Sequence, residues 1–452
     1  MKWFPSAIVG CLCLSFVPYA AAQAVSYQKD IEPVLKKNCL GCHMPTNKQA
    51  GLLLTSHGDL LKGGTKGPGV VAGDAGASIL IGYLTGDRQP RMPFGGKALA
   101  GATIELMKRW VAEGAKDDSG GTGVVVQIAK APVVYTAPPL VMSTAFSPDG
   151  KLLAVAGYRE ILLHEYNGKL LARLPGATMR VHSIAFSPDG KTLAAVGGDP
   201  AVRGELQIWD VASRKLRAGV VTSDDTFFGV SFSPDGTKIA FAGADKSVRL
   251  YDSATGKEIR KMDLHEDWVF GTVFGTDGKR LVSVGRDRAA KLIDVETGRF
   301  MENVNLLREP LTAVARHPKK DWIAIGGAER VPYLYKLDRP RSMRIADDST
   351  LIRKFEKQDG PILALAISGD GQYLAVAAEA GDVHIYNLES GEVAGKCSGH
   401  SGGIYSLTFS PLGKELLTAG FDGMIRAYDM SGKLLKAFSP VEIEKSAVAR
   451  ND

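Results

Sequence analysis

A five-residue phrase recurs along most of this chain, and its spacing restricts the fold more than any other feature. Phe146-Ser147-Pro148-Asp149-Gly150 returns as Phe186 to Gly190 and as Phe232 to Gly236. Looser copies are Phe274 to Gly278, Ile367 to Gly371 and Phe409 to Gly413, and Arg316-His317-Pro318-Lys319-Lys320 fills the remaining gap. The copies end at 150, 190, 236, 278, 320, 371 and 413, which gives seven units at a period near 42. Such a period marks repeated supersecondary units, none of which can bury its apolar face alone.

Each unit has one internal order. A strand enters the Pro-Asp-Gly turn, and an apolar strand such as Leu152 to Ala156 leaves it. A Gly/Asp hairpin leads to a third strand that ends in an aromatic-acid pair: Trp209-Asp210, Tyr251-Asp252 or Tyr428-Asp429, with Ile293-Asp294 and Tyr386-Asn387 as relaxed forms. A Gly-Lys or Gly-Arg turn then starts a fourth strand. Four strands per unit, repeated seven times, resemble a WD-repeat β-propeller over residues 124–440. Gly399-His400, Thr418, Asp422 and Tyr428 match that family's hydrogen-bonding set, with Tyr for Trp. Most other units lack the Gly-His pair, so the set is expected to be degenerate there. Residues 338–358 read as a loop insertion in the fifth unit. Two ring closures are open: Lys433 to Phe438 completes the last unit, or Val124 to Ile128 supplies its outer edge.

Upstream of the repeats stands Cys39-Leu40-Gly41-Cys42-His43. C-x-x-C-H is the attachment signature of a c-type haem. Two thiols at that spacing add to two vinyl groups of one porphyrin, and the following histidine lies under the iron. A zinc site would want a second Cys/His pair, and none follows. Cys39 and Cys42 are therefore the thioether residues, His43 the proximal iron ligand, and the cofactor one covalent haem c.

Residues 23–116 read as a small all-α domain. Ile31, Val34 and Leu35 fall at helical spacing behind Asp30 and Glu32, acids that suit a helix start. A glycine-rich section follows. A second helix, from about Thr103 to Glu113, puts Ile104, Met107, Trp110 and Val111 on one face and ends at Gly114. Met92, stiffened by Pro93, is the candidate distal ligand. His57 is the competitor. Met44 follows the proximal histidine too closely to reach the other face, and Met107 belongs to the packed helix face. Asp30-Ile31-Glu32-Pro33-Val34-Leu35, Gly63-Gly64, Gly67-Pro68, Met92-Pro93 and Trp110 to Ala115 make residues 27–116 similar to the planctomycete-type cytochrome c domain. That resemblance implies the same four site residues: thioethers on Cys39 and Cys42, His43 proximal and Met92 distal.

Haem attachment of this type occurs outside the cytoplasm, and an export signal is present at residues 1–22: Lys2, an apolar run from Ala7 to Val17, and Ala20-Ala21-Ala22. A lipoprotein box ending at Cys11 is the alternative, giving a membrane-anchored product. The run is shorter than the ~20 residues that span a bilayer. No other segment is long and apolar enough, so the mature chain carries no transmembrane segment. Cys11 and Cys13 leave with the signal and Cys397 stands alone, so no disulfide framework exists. Net charge is +6 with no dense Lys/Arg run, which excludes a nucleic-acid partner. Residues 117–123 form a Gly-rich linker and 441–452 a tail. No Gly-x-Ser-x-Gly elbow, H-E-x-x-H pair or Walker loop appears.

Together these features imply an exported, periplasmic mono-haem cytochrome, an electron carrier rather than a catalyst. Its propeller is expected to bind a redox partner protein. The alternatives are a haem-based redox-sensing scaffold and a haem enzyme with its site at the domain interface.

Overall fold

The computed structural model describes residues 24–40, 42–44, 47–54, 57–117, 133–338, 348–411 and 415–444. The signal with Cys11, Gly41, residues 118–123 of the linker, Val124 to Ile128 and the tail beyond 444 lie outside the described residues. The chain divides into two compact units, Met1–Gly120 and Gly121–Asp452.

In the first unit, a π-helical turn, Tyr27–Ile31, runs directly into α1 (Glu32–Asn38). Ser26 starts it, its hydroxyl accepting the Lys29 N–H while its own N–H donates to Asp30. Three further helices follow: α2 (His57–Lys62), α3 (Ile79–Thr85) and α4 (Gly101–Ala112). On α4 the expected face is buried, with Ile104 7 % and Met107, Trp110 and Val111 each 1 % exposed. Burying Trp110 alone is worth about 3 kcal/mol. Gly114, at φ +100°, turns the chain off the helix and donates its N–H to the Val111 carbonyl.

The section read as loop thus contains two helices. At six and seven residues they are too short for periodicity to show. They are held by tertiary burial of Leu60, Leu80, Ile81 and Leu84 in the core that Tyr27, Leu35 and Trp110 share.

Among its described residues the second unit holds five four-stranded antiparallel sheets and one of seven strands. The five span Phe227–Met262, Val269–Asn303, Leu311–Lys354, Ile362–Cys397 and Ile404–Phe438. The first strands of successive sheets lie side by side, and the strand Ile404–Phe409 meets Thr144–Phe146, so the sheets close a ring.

The recurring phrase is a turn that completes its own hydrogen bonds. Ser147 Oγ donates to Asp149 Oδ1 and accepts the Leu152 N–H, while Gly150 N–H donates to the Ser147 carbonyl. Ser187, Ser233 and Ser368 repeat this. In the divergent copy His317 substitutes, its Nδ1 accepting the N–H groups of Lys319 and Lys320.

Leu434–Phe438 pairs with Ile425–Asp429, so the last sheet is completed by its own C-terminal strand. Closure is made by side chains and termini. Thr144 N–H and Oγ1 both meet Ser406 Oγ at 2.8 Å, and Val141 N–H donates to the Gly420 carbonyl. Glu444 N–H donates to the Tyr135 carbonyl, tying the first and last described segments of this unit together. Tyr135 is anchored in turn by the buried Glu160, which also pairs with Arg173. In the sheet Leu311–Lys354, the outer strand Leu351–Lys354 falls inside the expected 338–358 insertion, so the extra chain is shorter than expected.

Candidate functional site

The helix α1 delivers the chain to the Cys39 motif. Cys39 N–H donates to the Leu35 carbonyl at 2.9 Å, and Cys42 and His43 N–H both donate to the Cys39 carbonyl. These two bonds close a turn on the Cys39 carbonyl that brings the three residues together. Cys39 is half-buried against the core of the unit, while Cys42 is exposed. Burial, with Cys42 nearby, pushes the Cys39 thiol up to about 11.

His43 is 8 % exposed, and its Nδ1 lies 3.3 Å from the Leu52 carbonyl. A carbonyl only accepts, so Nδ1 carries a proton, and in the neutral ring the lone pair is then on Nε2. That is the tautomer and the orienting bond of a metal-ligating imidazole. The 43–54 segment is closed on itself by Leu54 N–H to the His43 carbonyl and Gln49 N–H to the Cys42 carbonyl. Gly64 clamps it: a Cβ there would stand 2.5 Å from the Ala50 carbonyl.

Met92 is half-buried and packs against the same core as Cys39. Its N–H donates to the Tyr83 carbonyl on α3 at 2.9 Å, which fixes the loop. His57, the competing ligand, is otherwise engaged. Its Nε2 lies 2.7 Å from the Ala115 carbonyl, its Nδ1 faces Asp117 at 3.6 Å, and its ring packs edge-on against Tyr27 and Trp110. These contacts tie the chain just beyond α4 to α2 and engage the Nε2 atom. These groups fit a covalent haem, which Cys39 and Cys42 would hold, with the His43 imidazole and the Met92 thioether as the candidate iron ligands.

Among the described residues, no cluster of three or more His, Cys, Asp or Glu side chains could hold a metal ion. Cys397 is buried, and burial pushes its thiol up to about 12. The second unit does contain a Ser-His-Asp relay. His265 Nε2 lies 2.7 Å from Ser283 Oγ, and its Nδ1 lies 3.0 Å from Asp287. Ser283 and the His265 side chain are both 0 % exposed, so no substrate can reach them. The relay is a structural bridge between strands and their connecting loop.

His400, Thr418 and Asp422 form the matching bridge in the last sheet, at 2.7 and 3.0 Å. Tyr428 stands apart from it and donates to the Ser398 carbonyl instead. The expectation of a degenerate network is therefore corrected for the sheet Val269–Asn303. His265 follows Leu264 instead of glycine, so the Gly-His signal was missing while the side-chain chemistry remained. The 22-residue spacing from His to Asp, shared by both bridges, was the signal that would have found it.

Sequence reasoning also missed the wall of the central channel. Six inner strands shift register by one residue near their start. The extra residues are His182, Phe228, Phe270, Thr312, Leu363 and Tyr405, and all six line a channel of about 730 Å³. Bulges re-aim side chains in this manner. His182, Phe228, Phe270 and Trp268 form a continuous aromatic arc, with centroids 5.3 to 6.4 Å apart. Arg286 lies over Trp268 at 5.4 Å.

Comparison with known proteins separates the two units. Residues 39–93 match the Planctomycete cytochrome C family, from the first motif cysteine to Pro93. Residues 168–210 and 220–252 match the WD domain, G-beta repeat, and residues 314–410 match the anaphase-promoting complex subunit 4 WD40 domain. An uncharacterized WD repeat-containing protein of Schizosaccharomyces pombe is 32 % identical over 122 residues, covering 26 % of this chain and 19 % of that protein. WD repeat-containing protein 1 of Gallus gallus is 31 % identical over 120 residues, covering 26 % and 19 %. A WD repeat-containing protein of Synechocystis is 29 % identical over 84 residues, covering 19 % and 26 %. The chain spans well under half the length of each of these relatives. It unites a planctomycete-type cytochrome c domain with a WD-repeat β-propeller.

Proposed function

We infer that this protein is an exported, periplasmic mono-haem cytochrome c that passes single electrons, and that its propeller docks a protein partner. The observation that carries this reading is the His43 imidazole, its Nδ1 proton on the Leu52 carbonyl and its Nε2 lone pair left for iron. Haem held by histidine and methionine supplies a one-electron couple with a raised potential. The protein's own residues do the rest. Leu52 orients His43, and Tyr83 holds the Met92 loop through its carbonyl. Trp110, Tyr27 and Leu35 pack a dry core beneath Cys39, where burial strengthens every polar contact.

The domain boundaries proposed are 23–116 and 124–440, and the division at Gly120 supports them. Seven blades follow from counting the strand Leu170–Phe186 twice, as the outer strand of one blade and the inner strand of the next. The aromatic arc and channel support protein docking, because exposed aromatic groups in a concave surface are the usual anchors of interfaces. Residues 1–22 are read as the export signal, with lipid attachment at Cys11 as its rival.

Production in a haem-maturing periplasm tests the reading. Denaturing mass measurement should give the chain from Gln23 plus one haem, and the purified protein should cycle reversibly between ferric and ferrous absorbance spectra. A mass equal to the bare polypeptide, or a centre that does not cycle, overturns it. A lipidated Cys11 in the mature product would replace the soluble form with an anchored one.

A further inference from the structure

The seven repeat copies place one residue in the same register at the end of each inner strand. Phe146, Phe186, Phe232, Phe274, Ile367 and Phe409 each pair with the second residue of the next strand or its equivalent. In the sheet Leu311–Lys354 that place is taken by Arg316, opposite Ile323. A cation therefore stands where six copies of the unit put an apolar side chain. The following turn changes in the same sense. Asp149, Asp189, Asp235, Asp277 and Asp370 stand where this copy has Lys319.

Arg316 lines the channel of about 730 Å³, together with Phe186, Phe232 and Phe274. No Asp, Glu or Lys is among the described residues of that wall. The other titratable nitrogens there belong to His182, whose pKa burial and the nearby Arg180 push down to about 4, so Arg316 is the wall's charged group at neutral pH. Among the described residues it has no hydrogen-bond or ion-pair partner, and burial alone acts on it, holding its pKa below the ordinary guanidinium value. Two residues back along the strands, about 7 Å towards the aromatic collar, the wall is Val230, Val314, Leu365 and Leu407. The hydroxyls in that row are spent on seams between sheets: Thr144 on Ser406, and Thr272 on Ser231. The channel thus offers one unpaired planar cation next to an apolar ring of wall.

We propose that this channel binds a small monocarboxylic acid, its carboxylate on Arg316 and its apolar body against Val230, Val314, Leu365 and Leu407. A guanidinium and a carboxylate match in a two-bond fork, and such pairs gain strength out of water. An unpaired, half-buried cation costs stability, and a bound acid removes that cost without an acid from the chain. The space suits a small molecule, since ligand cavities run from about 300 to about 1,000 Å³. The inference goes beyond electron transfer and protein docking, and it concerns the second unit alone.

The experiment uses the full-length holoprotein, with 3-phenylpropionate and hexanoate as probes and their neutral amides as controls, followed by calorimetry. Each acid should bind at least about tenfold more tightly than its amide, the difference that one charge-assisted hydrogen-bonded pair supplies. Arg316→Gln should bring the acid down to the level of the amide and leave the amide unchanged. Each acid should raise the wild-type melting temperature and not that of Arg316→Gln. Arg316→Phe, which restores the residue of the other copies, should melt higher than ligand-free wild type and bind neither acid. Absence of binding by both acids, equal binding of acid and amide, or undiminished binding by Arg316→Gln overturns the inference. So does sulfate that binds as tightly as the acids, which would make Arg316 a general anion contact. A peptide with a free apolar C-terminus that binds tenfold more tightly than either acid also overturns it, and would assign the channel to a protein terminus. In each case a wild type whose haem still cycles leaves the electron-transfer reading standing.

Discussion

A histidine has two ring nitrogens, and at His43 the Leu52 carbonyl takes the proton of one. At His57 both nitrogens face protein oxygens. The same residue type thus reads as a ligand in one place and a brace in the other, and the two are separable by substitution. Met92→Ala should abolish the far-red methionine–iron absorbance band while denaturing mass still shows one haem. His57→Phe should keep that band and lower unfolding free energy by about 1–2 kcal/mol, because the Ala115 carbonyl loses its donor. A wild type that lacks the band, and whose low-spin spectrum is lost in the His57 variant and kept in the Met92 variant, would reverse the distal assignment.

The strand-bridging relay is the device that repeats between elements. Asp287 shows its strength. Burial alone would raise its pKa, but the hydrogen bond and charge of His265 outweigh that and hold the carboxyl at about 2. A carboxyl whose folded pKa is depressed contributes stability that is present above its unfolded value, near 4, and is lost as pH falls towards 2. The contribution is about 2 kcal/mol at neutral pH. Asp287→Asn should therefore lower the propeller's melting temperature at pH 6, and the gap from wild type should shrink at about pH 2.5, as read by circular dichroism. A gap that stays constant across that range would show that the relay carries no charge. The same residue types in the Pro-Asp-Gly turns only close turns, since each Asp there is exposed and bonded to its own loop.

Across the whole molecule, the ring is held as a set of separate sheets whose seams are made of hydroxyls, apolar side chains and buried histidines. Burial holds His164, His182, His317, His384 and His400 below the ordinary imidazole value, with His182 at about 4. These rings fold in the neutral form. Their contribution is complete above the unfolded value of about 6.5 and is lost as pH falls below it, because the unfolded chain then binds more protons. The propeller's calorimetric melting temperature should therefore drop steeply between about pH 6.5 and pH 4. His317→Ser, which restores the hydroxyl used in the other turns, should make that drop shallower. A melting temperature that is flat over this interval would show that these imidazoles protonate without opening the ring.

The sequence by itself determined what local chemistry and spacing can encode: the repeat period, the Pro-Asp-Gly and Asp-capped turns, the α4 face, and the motif that supplies two thiols and an imidazole. Each of these is written in residues close together along the chain. It did not reveal α2 and α3, whose few turns are stabilised by burial of residues such as Leu60 and Leu84 against partners far away in sequence. Nor did it reveal the His265 bridge or the channel collar. Those depend on a 22-residue reach or a one-residue bulge, and such properties exist only once distant strands and loops have packed. The bracing of His57 has the same cause: the Ala115 carbonyl that it meets lies 58 residues away along the chain.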